Sequence, residues 1–259
     1  MSTLRIGLVG ASQHNWGFLA ECLKQTDGQV VALADPDAAA RDRFAAHYHV
    51  AAGYDDATSL LDEARPDALF IFPGAAEILS TALEAIRRGV AVYTDKHLAR
   101  SAADVAALRE ALEANPTTVM VRLNKPLVPA YRTALSLVAR DDGIGRPLVY
   151  SSDFHAGPYG SLSNFVNNHI LFHFDLAYAA IGPFAVRSAL VNRTAEATVG
   201  AIVTFAGESG TIGVINASSY SPGENPKERM EIVGTRGVVR VENARRVQAH
   251  RGVEPSPRF

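Results

Sequence analysis

At 259 residues, with 47% hydrophobic and 20% charged side chains, the chain is long enough to bury one large apolar core or two modest ones. Lys+Arg 25 against Asp+Glu 27 leave a formal net charge of -2, which offers no basic surplus for nucleic acid and no charged tail. The single cysteine, Cys22, excludes an internal disulfide and a multi-cysteine metal site, and with no apolar run of membrane-spanning length and no signal-peptide pattern a cytoplasmic location is expected.

Through the first third of the chain, short apolar runs alternate with helical spacing. Residues 4–9 form an apolar run broken only at Arg5 and Gly7, 18–24 are spaced as a helix, and 29–34 are apolar again, ending at Asp35-Pro36. An alanine-rich helix follows over 38–46. Pro66-Asp67 introduces a strand over 68–72 that stops at Pro73-Gly74; then come a helix over 77–88 stopped by Gly89, a strand over 90–94, and a helix over 102–114. This repetition predicts parallel pairing through right-handed crossovers: an α/β Rossmann domain, a doubly wound parallel sheet, over 1–120.

The texture changes after the apolar run at 119–123. A helix over 129–140 leads through Gly143 and Gly145 to a strand over 148–152, a loop rich in Gly, Ser and Asn over 156–168, and a helix over 169–181. Alternating segments at 186–192, 198–205, 210–218, 228–233 and 237–242 then predict strands joined by short turns. Residues 121–259 are expected to form an α+β domain with an open, mainly antiparallel sheet.

The turn after the first strand, Gly10-Ala-Ser-Gln-His-Asn-Trp-Gly17, keeps one glycine of the dinucleotide fingerprint G-x-G-x-x-G. Gly10 permits the tight turn; Ser12 stands where backbone amides approach a pyrophosphate, and Asn15 tolerates left-handed backbone angles. Asp35, 25 positions after Gly10 at the end of the second strand, is placed to accept ribose hydroxyls, and with Asp37 it repels a 2′-phosphate. NAD is therefore favoured over NADP. The bland alternative makes Asp35-Pro36-Asp37 a capping turn. The expected cofactor contacts are Gly10, Ser12, Gln13, His14, Asn15 and Asp35, joined by Phe72, Pro73, Asp95 and Lys96 at the later strand ends.

Asp95-Lys96-His97 lies just past a strand end, where open parallel sheets bind ligands. Followed by Leu98-Ala99, it resembles the Glu-Lys-Pro motif of the glucose-fructose oxidoreductase and inositol dehydrogenase family (Gfo/Idh/MocA). The glycine turn within Ile-Val-Gly-Thr-Arg-Gly-Val-Val-Arg-Val-Glu242 and the helix beginning His173-Phe-Asp-Leu and ending at Gly182-Pro183 are similar to that family's second domain. The resemblance runs from Leu4 to about Glu242, and the chain ends some tens of residues short of the family's usual length. It implies hydride transfer between a nicotinamide cofactor and a sugar, inositol or related polyol. It also implies a catalytic Lys96, whose ammonium polarises the reacting oxygen, and a second-domain sheet often used for dimerisation.

The family's base is a histidine four residues after an aspartate, with a second aspartate three beyond. Anchoring on Asp175 and Gly182 puts Asn168 and Phe172 in the first two places; shifting by one puts His169 and His173 there, on one helical face. The shifted register is preferred, with His173 as general base and His169 as its orienting neighbour. Asn124, Lys125, Asn168 and Asp175 are further substrate candidates, and Asp153 and His155 either line the pocket or cap a turn. A metal site is not expected, since the histidine pair lacks an assured third ligand. An unpaired edge on the second sheet predicts a homodimer or homotetramer. Two rival functions stay open: transient NAD redox in glycoside cleavage or epimerisation, and a catalytically silent nucleotide-binding member.

Overall fold

A computed structural model describes residues 3–11, 25–72, 77–194, 198–220 and 227–252. The chain divides into two compact units, Met1–Arg122 and Leu123–Phe259.

The first unit holds six parallel strands in the order β3-β2-β1-β4-β5-β6: β1 Leu4–Val9, β2 Gly28–Ala34, β3 Ala52–Tyr54, β4 Ala68–Ile71, β5 Ala91–Thr94 and β6 Val119–Val121. Helices α1 Ala38–Tyr48, α2 Ala57–Ala64, α3 Ile78–Arg87 and α4 Ala102–Ala114 connect them. Three of these helix starts have a side-chain cap. Asp37 accepts the amides of Ala39 and Ala40, Asp56 accepts that of Ser59, and Ser101 and Asp104 form a reciprocal capping box. Gly7 lets β1 approach α2, because a Cβ there would stand 2.7 Å from the side chain of Leu60. The buried strand residues Leu8, Leu33, Leu69 and Ile71 fill the core.

Two elements of this unit escape the apolar patterns. The strand β3 is three residues long, too short for alternation to register, and α2 follows it in a stretch with no apolar run of its own. The helix expected at 18–24 lies outside the described residues.

The second unit carries seven strands in the order β13-β12-β11-β7-β10-β9-β8: β7 Pro147–His155, β8 Phe184–Arg193, β9 Val199–Gly207, β10 Ile212–Ser218, β11 Lys227–Gly234, β12 Gly237–Glu242 and β13 Arg246–Arg251. All neighbours run antiparallel except β7 and β10, so the sheet is mainly antiparallel. Helix α5, Pro129–Ala139, and helix α6, Leu171–Ile181, belong to this unit. The inward residues of the sheet, among them Tyr150, Phe154, Phe205, Ile215, Met230 and Ile232, join Tyr131, Leu137, Leu176 and Ala177 of the two helices in one core. The other face is open, with Leu190, Ile202 and Ile212 at 69%, 43% and 60% exposure.

Three expectations are corrected here. The Gly, Ser and Asn-rich stretch is partly helical: Leu162–Phe165 form one turn, capped by the Ser161 hydroxyl on Asn164, and a π-helical segment, Val166–Ile170, runs on into α6. Its composition reads as loop, but Asn167 and Asn168 bond one turn back within the helix and Asn164 donates to the Tyr159 carbonyl just before it. The sheet also continues past Glu242 into β13, whose alternation is hidden by four charged or polar residues in six. Finally, the strand expected over 148–152 is longer: β7 runs on through Asp153 and ends at His155.

Candidate functional site

In the first unit, the C-terminal ends of β1, β2, β4 and β5 come side by side. The amide of Gly10 donates to Ala34 at 2.9 Å, and that of Phe72 to Val9 at 3.0 Å. Gly10 turns the chain off β1 at φ +96°, an angle that favours glycine. Strand β1 sits between β2 and β4, where the crossovers leave in opposite directions and a crevice opens outside the strand ends.

Asp35 stands at that crevice, but its carboxylate is already engaged. One oxygen accepts the amide of Ala11 at 2.7 Å and the other that of Asp37 at 2.9 Å. It braces the turn after β1, and each oxygen keeps a second lone pair for a ribose hydroxyl. Asp37 is spent on capping α1. The Gly10 turn and Asp35 thus fit an adenosine dinucleotide at this edge.

Asp95, expected at the cofactor, is 4% exposed and turned inward. It accepts the amide of Lys96 at 2.8 Å and a two-point guanidinium contact from Arg122, with Nη2 at 2.6 Å. The carboxylate therefore holds the loop that carries Lys96, and the Lys96–His97 peptide is cis. Phe72 is buried against Phe70 and Tyr93. Ser12, Gln13, His14, Asn15 and Pro73 lie outside the described residues.

The second unit holds a cleft of about 530 Å³. Its wall brings together Lys125, Tyr131, Phe154, His169, Phe172 and Glu228, with Asn124 and the turn Asn243–Arg245 at its rim. Glu228 is the anchor. Its Oε2 is paired with the Lys125 ammonium, and its Oε1 accepts the Tyr131 hydroxyl at 3.0 Å. Lys125 Nζ also lies 5.7 Å and 5.5 Å from the ring centres of Tyr131 and Phe154, within cation–π range. Burial, and next the charge of Glu228, push the Tyr131 hydroxyl well above the usual tyrosine range, so it stays a donor.

His169 shows its ring to the cleft and stacks on Phe154, centroids 5.1 Å apart and 16° from parallel. His173 packs on the same Phe154 at 4.8 Å but has no exposed surface. Its Nδ1 lies 2.6 Å from Ser152 Oγ, and its Nε2 lies 3.8 Å from Glu228 Oε2. Burial first, then the charges of Lys125 and His169, hold its imidazolium well below the ordinary histidine range. The two histidines thus share a face, one on the cleft wall and one behind it.

Asp153 and His155 are corrected as cleft candidates. Successive strand residues point to opposite faces, so both lie on the open side of the sheet, away from Ser152 and Phe154. There Asp153 pairs with Arg229 at 3.0 Å and accepts Asn216, while His155 Nδ1 meets Ser218 Oγ at 2.9 Å. Asn168 is bonded to Asn164, one turn back, and Asp175 is half-buried with its carboxyl raised by burial; neither lines the cleft. Glu228, Tyr131 and the Asn243–Arg245 turn were not foreseen. One signal for Glu228 was present: it is in phase with Met230 and Ile232, the buried side of β11.

Among the described residues, no three His, Cys, Asp or Glu side chains are grouped to hold a metal ion, and no helix is long and apolar enough to cross a membrane.

Residues 4–123 match the family model described as "Oxidoreductase family, NAD-binding Rossmann fold". No curated protein matches the chain at a significant level. Among solved structures, a dehydrogenase from Chromobacterium violaceum is similar at TM-score 0.84 and 18% identity, covering 99% of this chain and 83% of that one. The WlbA dehydrogenase from Bordetella pertussis, solved with NADH and UDP-GlcNAcA, gives TM-score 0.82 and 18% identity over 99% and 83%. A levoglucosan dehydrogenase, solved with NADH and L-sorbose, gives 0.83 and 17% over 100% and 78%. At these identities the likeness speaks for the fold.

Proposed function

Given that residues 4–123 form a Rossmann unit of the Gfo/Idh/MocA oxidoreductase family, we propose that this chain is an NAD-dependent oxidoreductase acting on a hydroxyl-bearing carbon of a sugar or polyol. The observation that carries the reading is the strand-end crevice at Gly10 with Asp35 beside it, within a unit that matches an NAD-binding family. Bound there, NAD supplies the hydride acceptor or donor. Gly10 and Asp35 hold the adenosine end. The carboxylate of Asp35 favours two free ribose hydroxyls over a 2′-phosphate.

Lys96 is the motif lysine, and its ammonium stabilises negative charge developing on a substrate oxygen. Asp95 and Arg122 keep its loop in place. In the second unit, the cleft offers the partly exposed ring of Phe172 for the apolar side of a sugar ring. Lys125, Asn124 and His169 offer hydrogen bonds to its hydroxyls. The neighbours solved with L-sorbose and with UDP-GlcNAcA bind molecules of this chemical kind and lend support.

The open face of the second sheet supports a homo-oligomer. Leu190 and Ile202, opposite one another on β8 and β9, and Ile212, four residues along β10 from the partner of Ile202, are exposed apolar residues on it, with the pairs Asp153–Arg229 and Glu231–Arg240 on the same face.

The test is a panel of sugars, inositols and their oxidised forms with NAD and NADP, followed at the nicotinamide absorbance for wild type and Lys96→Ala. Reduction of NAD in preference to NADP, lost by at least about 100-fold in the variant, is the expected result. Cofactor that co-purifies with no net reduction would favour transient redox. No dinucleotide binding by calorimetry would sink the proposal.

A further inference from the structure

The inference that follows rests on reading the second-unit cleft as the place where a small polar ligand binds. Four elements meet at its carboxylate, and a fifth stands behind one of them. Glu228 of β11 faces Lys125 from the 3-10 turn Lys125–Leu127, Tyr131 from α5 and His173 from α6; the other side of the His173 ring meets Ser152 of β7. Among the described residues, His173 Nε2 is buried without a hydrogen-bond partner.

A neutral imidazole carries one proton, on either nitrogen, and leaving a buried polar atom without a counterpart is costly. With the proton on Nε2, its positive edge faces the Glu228 carboxylate and Nδ1 accepts from the Ser152 hydroxyl. The other tautomer points a lone pair at the carboxylate across 3.8 Å, and like poles at that distance in a largely buried site repel. Geometry therefore selects the first form, and in it Nε2 has no lone pair with which to take a substrate proton.

We infer that Glu228 is the positioning residue of this cleft: its carboxylate holds the Lys125 ammonium and the Tyr131 hydroxyl on the wall and keeps the His173 proton on Nε2. His169 is then the histidine that exchanges protons with a ligand. The ionisable groups around His173 agree. Lys125 and His169 add positive charge that opposes a second proton on the ring, the hydroxyls of Tyr131 and Tyr150 are kept protonated by burial, and among the described residues the carboxylate facing the ring is that of Glu228.

Glu228 is itself fixed from behind. The amide of Asn243 donates to the Glu228 carbonyl at 2.8 Å, and the Glu228 amide donates to Asn243 Oδ1 at 3.1 Å. This clamp stands at the hairpin turn where Asn243 and Ala244 take φ of +48° and +54°. A left-handed alanine is unfavourable, and it persists here because two hydrogen bonds on the preceding residue hold the turn.

The experiment is a histidine-labelled NMR titration of the full chain, reading tautomer and charge of each ring over about pH 5 to 9, the range in which histidines ordinarily change charge. Expected is a His173 that stays in the Nε2–H form throughout. In Glu228→Gln the His173 nitrogen signals move toward a mixture of tautomers, and Glu228→Asp restores the wild-type pattern. A His173 that titrates between about pH 6 and 8 in wild type overturns the inference, and that measurement needs no variant. So does an unchanged His173 tautomer in a Glu228→Gln chain that keeps a folded amide spectrum. Because no turnover is read, a chain that fails to reduce NAD would refute the proposed function and leave this result standing or falling by itself.

Discussion

In the first unit, the carboxylates near the strand ends are held by backbone amides and by an arginine that still meets solvent. In the second, the cleft carboxylate is held by a lysine and a tyrosine, with a fully buried histidine 3.8 Å away. The difference follows from sheet type. A parallel sheet covered by helices carries its polar groups past the strand ends, in loops, where amides are available and water is close. A sheet with one covered face lets a polar side chain enter the covered face by alternation alone, and once there it must find charged partners from the helices. Asp95 and Glu228 are the two outcomes.

The largest test of that contrast is Glu228→Leu. It leaves the Lys125 ammonium unpaired in a poorly solvated place, and a loss of about 3–5 kcal/mol in urea unfolding is expected. A loss under about 1 kcal/mol, the range of an exposed pair, would erase the distinction between the units. Next comes Asp95→Asn, which keeps shape but weakens the hold on Arg122 and the Lys96 amide. The expected cost is about 1–3 kcal/mol.

A smaller effect separates the units by pH. The folded state keeps a proton off His173, while the unfolded chain takes one up below its ordinary pKa of 6.5. The stability this contributes is therefore complete above that pH and declines as pH falls below it, by up to about 1.4 kcal/mol per pH unit. His173→Gln should flatten that acid limb, and a slope unchanged in the variant would assign it elsewhere. Smallest in stability is Ile212→Glu on the open sheet face, expected within about 0.5 kcal/mol of wild type. Its effect belongs instead to light scattering, where the mass should fall from an oligomer to a monomer; a wild-type monomer would remove the open face from the argument.

How legible the molecule was depends on the range of the interactions. Helices α3 and α4 and strands β1, β2 and β12 announced themselves through local apolar spacing and, for α3, through Gly89, whose effect acts within a turn. Strands β3 and β13 did not, being either too short or too polar to show a period. Asp35 was found from its distance to Gly10, since one strand-helix-strand unit sets that spacing. Its bond to Ala11 was not, because an amide carries no sequence signature.

By itself, the sequence determined an α/β unit followed by an α+β unit and the helical pair His169 and His173, because each depends on periods of two or 3.6 residues. Only the tertiary structure decided which histidine meets the cleft, that Asp153 and His155 face away from it, and that Glu228 binds Lys125 across 103 positions of chain. Strand register and helix docking set those contacts, and both arise from packing among residues far apart, which no local pattern records.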